Sequence, residues 1–102
     1  MIHIIAILTA VQGQREAVLS EFRKNLPTVR LEPGCVQYEP VIDVENGPAT
    51  LARIGPDAFM VIEQWESQDA VLAHAASAHM AAYAERVKEL LLSRVVYALR
   101  AV

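Results

Sequence analysis

Six residues carry most of the chemistry this sequence offers: Tyr38, Glu63, Trp65, His74, His79 and Tyr83. An imidazole titrates near pH 6.5, so His74 is suited to accept a weakly acidic proton at neutral pH. The competing reading is a partly buried histidine bonded to a backbone carbonyl. His79 follows five residues later, which on one unbroken helix sets it about 140° round from His74. The two share a face only if the helix breaks near Ser77. Tyr83 lies four residues after His79, on the same side of a helix, so a histidine and a phenol can line one wall. In the other reading Tyr83 belongs to the apolar stripe of Met80, Tyr83, Val87 and Leu90. Glu63 and Trp65 alternate onto one face of a strand, where the carboxylate can orient a histidine or take a proton and the indole can stack on an aromatic ring. Both also suit structural parts, Trp65 in a core and Glu63 bridging to Arg94 or Arg100. Tyr38 is a further candidate contact, while His3 and Arg53 have less to recommend them.

Other chemistries fall away. The histidines lack the i, i+4 spacing of a helical metal-binding pair and HExxH is absent, so no metal site is expected. Cys35 is the only cysteine, which excludes an internal disulfide, and it has no helix N-terminus or basic neighbour to activate its thiol. The isolated glycines form no phosphate-binding loop. A net charge of −3, with basic residues scattered except at Arg23-Lys24, argues against nucleic acid. The longest apolar run, Ile4 to Val11, is far short of the roughly 20 residues of a membrane-spanning helix. With no basic leader and no cleavage site, a cytoplasmic setting is expected.

The elements that must position these residues follow from periodicity. Ile2 to Val11 is apolar on both parities, as in a strand covered on both faces. From Gln14, the residues Val18, Leu19, Phe22, Leu26 and Val29 recur at helical spacing, and Pro27 predicts a kink or an end near Leu26. Glu32-Pro33-Gly34 is a turn signal. Cys35 to Val44 reads as a second strand, with Val36 and Tyr38 on one parity and Pro40 marking an edge or bulge. A long connection, Glu45 to Asp57, with a short extension around Thr50 to Ile54, leads to a third strand at Ala58 to Glu66. Ser67 caps a helix running to Ala76, and a second helix starts at Ser77 and keeps its spacing through Leu91. Arg94 to Val102 closes the chain as a strand.

This order predicts one α+β domain over residues 1–102, with a ferredoxin-like βαββαβ arrangement of four antiparallel strands and helices on one face. Of the 102 residues 54% are apolar and only 21% charged, an excess that a chain this short cannot bury alone. The sheet face that helices leave bare calls for a second subunit's sheet.

Three stretches add a resemblance: Glu32-Pro33-Gly34-Cys35 running into Tyr38-Glu39; Glu63-Gln64-Trp65-Glu66-Ser67; and His74 followed by Ser77-Ala78-His79. In that order, they resemble the antibiotic biosynthesis monooxygenase superfamily, whose members pack two such sheets into a dimeric α/β barrel. The resemblance implies a pocket between helices and sheet, and His74 falls where the family's histidine falls. It implies a homodimer that oxidises a small quinol or polycyclic phenol with O₂ and no cofactor. In the reaction that the resemblance implies, the substrate would be deprotonated, an electron would pass to O₂, and the resulting peroxide would collapse to a quinone and water. His74 would be the base or a hydrogen-bond partner, with His79 and Tyr83 as further polar contacts and Trp65, Glu63 and Tyr38 against the substrate. The haem-degrading branch carries an Asn on its first strand, and Ile2 to Ala10 contains none. Two alternatives stay open, an isomerase or degrading enzyme for a small oxygenated metabolite, and a non-catalytic ligand-binding dimer.

Overall fold

The apolar alternation of Ile2–Ala10 makes β1 the spine of the molecule, because Ile4, Ala6, Leu8 and Ala10 are all buried and Ile2 is partly so. A computed structural model describes every residue from 1 to 102. The remaining elements are α1 (Arg15–Arg30), β2 (Cys35–Val41), β3 (Ala58–Trp65), α2 (Gln68–Ala75), α3 (Ala78–Val87) and β4 (Leu91–Leu99). The strands form one antiparallel sheet in the order β2-β3-β1-β4. This is the ferredoxin-like α+β fold the element order predicts.

Register sorts the side chains onto two faces. Ile4 pairs with Glu63 and Ala98, Ala6 with Val61 and Val96, and Leu8 with Phe59 and Arg94, so all of these point to the helical side. Phe22 of α1 fills the centre of that side, stacked on Tyr38 at 5.5 Å and edge-on to Phe59 and Tyr83 at 5.6 and 5.9 Å. Burying a side chain of this class contributes about 1.5–3 kcal/mol. The opposite face carries Ile5, Ile7, Met60, Ile62, Val95, Tyr97 and Leu99, and Val95, Tyr97 and Leu99 are 44–50% exposed.

The main departures from the periodicity reading lie at element ends, among them that of β4, which stops at Leu99 and not at Val102. Helix α1 does not stop near Leu26 but runs through Pro27 to Arg30. Pro27 and Arg23 are both on the exposed side, where water can satisfy the carbonyl that proline leaves free. Burial of Val29 and two hydrogen bonds from the Arg30 guanidinium to the Tyr38 carbonyl hold the last turn. Strand β2 ends at Val41 rather than Val44, and a bulge between Cys35 and Gln37 turns Val36 out to 51% exposure. The connection has no extension at Thr50 to Ile54; the Asp43 carboxylate instead accepts from the Ile54 and Gly55 amides at 3.0 Å each. Strand β4 begins at Leu91, three residues before the expected start, because α3 ends at Val87 and the Leu90 carbonyl already accepts from the Val11 amide at 2.8 Å.

Candidate active site

Glu32 stands in the tight connection between α1 and β2. Its amide donates to the Val29 carbonyl at 3.0 Å and its carbonyl accepts from the Cys35 amide at 3.1 Å. Gly34 completes the turn at φ +84°, and a Cβ there would come within 2.7 Å of the Ala70 Cβ. The Glu66 amide donates to the Gly34 carbonyl at 2.9 Å, so this turn is docked both on the end of β3 and on α2.

Helix α2 starts at the Ser67 cap, whose hydroxyl accepts from the Ala70 amide at 3.1 Å, and stops at Ala76. Ser77 caps α3 through the Met80 amide and donates its own hydroxyl proton to the His74 carbonyl at 2.7 Å. This break is the condition under which His74 and His79 share a side, and both reach Glu32. His74 Nδ1 lies 2.8 Å from Glu32 Oε2, and His79 Nε2 abuts Glu32 Oε1. The second contact is close but poorly directed, since Oε1 has no hydrogen bond of good geometry. A carboxylate only accepts, so Nδ1 of His74 carries the proton and Nε2 keeps its lone pair.

The His74 ring packs against Trp65, with centroids 4.7 Å apart, and edge-on to Tyr38 at 5.3 Å. Burial lowers the His74 pKa from its ordinary value, while the Glu32 hydrogen bond and charge oppose that shift. The Trp65 indole donates to Glu63 Oε1 at 2.9 Å. Burial nonetheless raises the Glu63 carboxyl, with that hydrogen bond and the Arg94 charge pulling the other way. Burial pushes Tyr83 up to about 12, so its phenol stays protonated and can donate. Tyr38 is raised further by the same cause. Burial also raises the Cys35 thiol, consistent with an inert cysteine.

Two hollows meet at His74. The inner one, about 100 Å³, lies between helices and sheet and is walled by Ile4, Ala6, Leu8, Phe22, Val61, Val71 and Met80. Its polar groups are Tyr38, Glu63, His74, Tyr83 and Arg94. The outer one, about 550 Å³, is a solvent-facing cleft that includes Glu32, Gly34, Glu66, Ser67, Ser77 and His79. His74 alone borders both. The outer cleft is larger, but an apolar enclosure with few polar groups is where a proton transfer gains from exclusion of water. The Tyr83 hydroxyl is buried without a partner, a group that an occupant of the inner cavity can satisfy.

The residues singled out by sequence are therefore divided. His74, Tyr83, Glu63 and Tyr38 border the inner cavity. His79 faces the outer cleft, so it and Tyr83 do not share one wall. Trp65 has no exposed surface and stands behind His74 rather than on the cavity wall. Glu63 bonds to Trp65 and not to Arg94 or Arg100. Sequence reasoning placed Glu32 in a turn and at the head of a motif stretch but gave it no role in the site, and it missed the place of Arg94, which the Leu8 register turns toward the cavity.

Comparison with known proteins places this architecture. The family model for antibiotic biosynthesis monooxygenase matches residues 1–86. The probable quinol monooxygenase YgiN of Escherichia coli K12 is 42% identical over 90 residues, which is 86% of each chain. The crystal structure of PA3566 from Pseudomonas aeruginosa superposes with a TM-score of 0.82 at 28% identity, over 99% of this chain and 93% of that one. The SO0527 protein of Shewanella oneidensis shares the fold, with a TM-score of 0.80 at 24% identity over 96% of this chain and 87% of that one. By sequence and by fold, the chain belongs to the antibiotic biosynthesis monooxygenase family.

Proposed function

We propose that this protein oxidises a small quinol or polycyclic phenol with O₂, using no metal or flavin, in the cavity bordered by His74. The observation that carries the reading is the placement of His74, with Nδ1 held by a carboxylate and its ring on the wall of an apolar cavity. The likeness to a probable quinol monooxygenase supports the substrate class. His74 Nε2 takes the phenolic proton, and the phenolate is stabilised by the Tyr83 hydroxyl and the Arg94 charge. One electron passes from the phenolate to O₂, and recombination forms a carbon–oxygen bond to a peroxide. Breaking the O–O bond with loss of the ring hydrogen leaves one oxygen in the quinone carbonyl and the other in water, to which His74 returns its proton. An engineered cavity of about 150 Å³ admits benzene. The present 100 Å³ thus favours the one-ring end of the range, with Val71 and Met80 yielding to the ligand.

The bare face of β1, β3 and β4 supports a homodimer in which two sheets pack face to face. Light scattering at micromolar concentration is expected to show a dimer, and Val95→Glu to convert it to a monomer. A monomeric wild type overturns this assembly. No helix is long and apolar enough to cross a membrane.

The function is tested by oxygen uptake with a panel of quinols in the presence of a chelator. Uptake that persists supports the reading, and no uptake with any quinol overturns it. Turnover of a non-aromatic metabolite without O₂ would replace it with an isomerase. A ligand-dependent rise in Tm with no product would replace it with a binding protein.

A further inference from the structure

We propose that Glu32 is the positioning residue of this site. One of its oxygens fixes the His74 tautomer and the other gathers His79, so His79 acts through Glu32 and not on substrate. The inference rests on reading His74 as the base, and deepens that reading by giving Glu32 a stated task and His79 a place behind it. Its geometry is the convergence of three separate segments on one carboxylate: the turn after α1, α2 through His74, and α3 through His79. A surface turn has no need of such a convergence. The Glu32 side chain is only 15% exposed, and His79 borders the outer cleft without reaching the inner one. A tautomer-fixing carboxylate behind an imidazole keeps the far nitrogen unprotonated and stabilises the imidazolium that forms when the ring takes a proton. The His74 ring is free to hop between tautomers without it.

The groups facing His74 are Glu32 from the turn, His79 and Tyr83 from α3, Tyr38 from β2, Glu63 from β3 and Arg94 from β4. Only Glu32 hydrogen-bonds its ring. Of the charges acting on it, Glu32 favours the protonated form, whereas His79 and Arg94 disfavour it. Removing the Glu32 charge therefore makes His74 a weaker base and moves its titration to lower pH.

Glu32→Gln tests this, since it keeps size and one acceptor oxygen for the His74 Nδ1–H but removes the charge and the second acceptor. With a quinol that the wild type oxidises, kcat is expected to fall about ten- to a hundredfold with KM within twofold, and the acid limb of the pH profile to move to lower pH. Glu32→Asp, which restores charge, should bring the limb back toward wild type. In a His74→Ala background Glu32→Gln should cost nothing more, whereas losses that multiply would mark a merely structural role. Titration of the His74 ring by NMR needs no substrate, and a pKa in Glu32→Gln equal to or above the wild-type value overturns the proposal. If Glu32→Gln does not fold, the same titration is read in Glu32→Asp and His79→Gln. In His79→Gln, loss of the opposing charge should raise the His74 pKa, and an unchanged value overturns the link. A wild type that oxidises no quinol defeats the functional reading, while the titration still decides the role of Glu32 by itself.

Discussion

His74→Ala is expected to lower kcat for quinol oxidation by about 10²–10⁴-fold, the usual contribution of a positioned general base. KM should change less, because the Phe22, Val61 and Met80 walls that hold an aromatic ring remain. Steady-state oxygen uptake and unfolding measurements on the same samples separate chemistry from folding, and a loss below threefold would remove His74 from the reaction. The pH profile gives a second check. The active form is neutral, and burial holds the His74 pKa below its ordinary value, so the acid limb of the wild type should fall below about pH 6.5. Stability follows the same shift. The unfolded chain binds this proton at a higher pH than the folded one, so wild-type stability declines as pH falls from the unfolded value through the folded one. Above that window His74 contributes nothing to the pH dependence, and His74→Ala should flatten the slope within it.

Trp65→Ala should cost about 3–5 kcal/mol of folding free energy, the range for truncating a large buried aromatic. Trp65 has no exposed surface, braces both His74 and Tyr38, and is the hydrogen-bond donor to the Glu63 carboxylate. Its removal opens a void behind the base and strips a buried carboxyl of its partner. Trp65→Phe keeps most of the volume but not the N–H, and should cost about 1–3 kcal/mol, the penalty for leaving one buried group unsatisfied. Urea denaturation followed by circular dichroism measures both, since the chain loses its sole tryptophan fluorophore. A cost below 1 kcal/mol for Trp65→Ala would contradict the bracing role.

Much of this architecture was legible because strand and helix periods differ and the chain keeps them apart. The strands, the paired helices and the bare sheet face all follow from which positions are apolar. What was not legible depended on tertiary partners. Pro27 reads as a helix end, yet packing of Val29 and the Arg30 bonds to Tyr38 outweigh one missing hydrogen bond. Val36 sits on the apolar parity, yet a one-residue bulge exposes it. For the site, the five-residue spacing of His74 and His79 allowed a shared side only if the helix broke near Ser77, and the Ser77 cap supplies that break. Glu32 carried no such signal, because its link to His74 spans 42 residues and its neighbours Pro33 and Gly34 explain the turn without it. The inward aim of Arg94 likewise depends on its pairing with Leu8 of β1, a long-range register that the residues around Arg94 do not display.

The contact between Gly34 and Ala70 sets a limit on how this sequence can drift. Each position already holds a residue that cannot be made larger without meeting the other, and Gly34 also needs a positive φ. Gly13 and Gly55 share the positive φ but have nothing within 4 Å, so substitution there meets backbone strain alone and no neighbouring atom. The Gly34–Ala70 pair is thus a two-position lock on size. A variant that enlarges either side must lift the Glu32 turn away from α2, separating the carboxylate from the imidazole it holds without altering either residue.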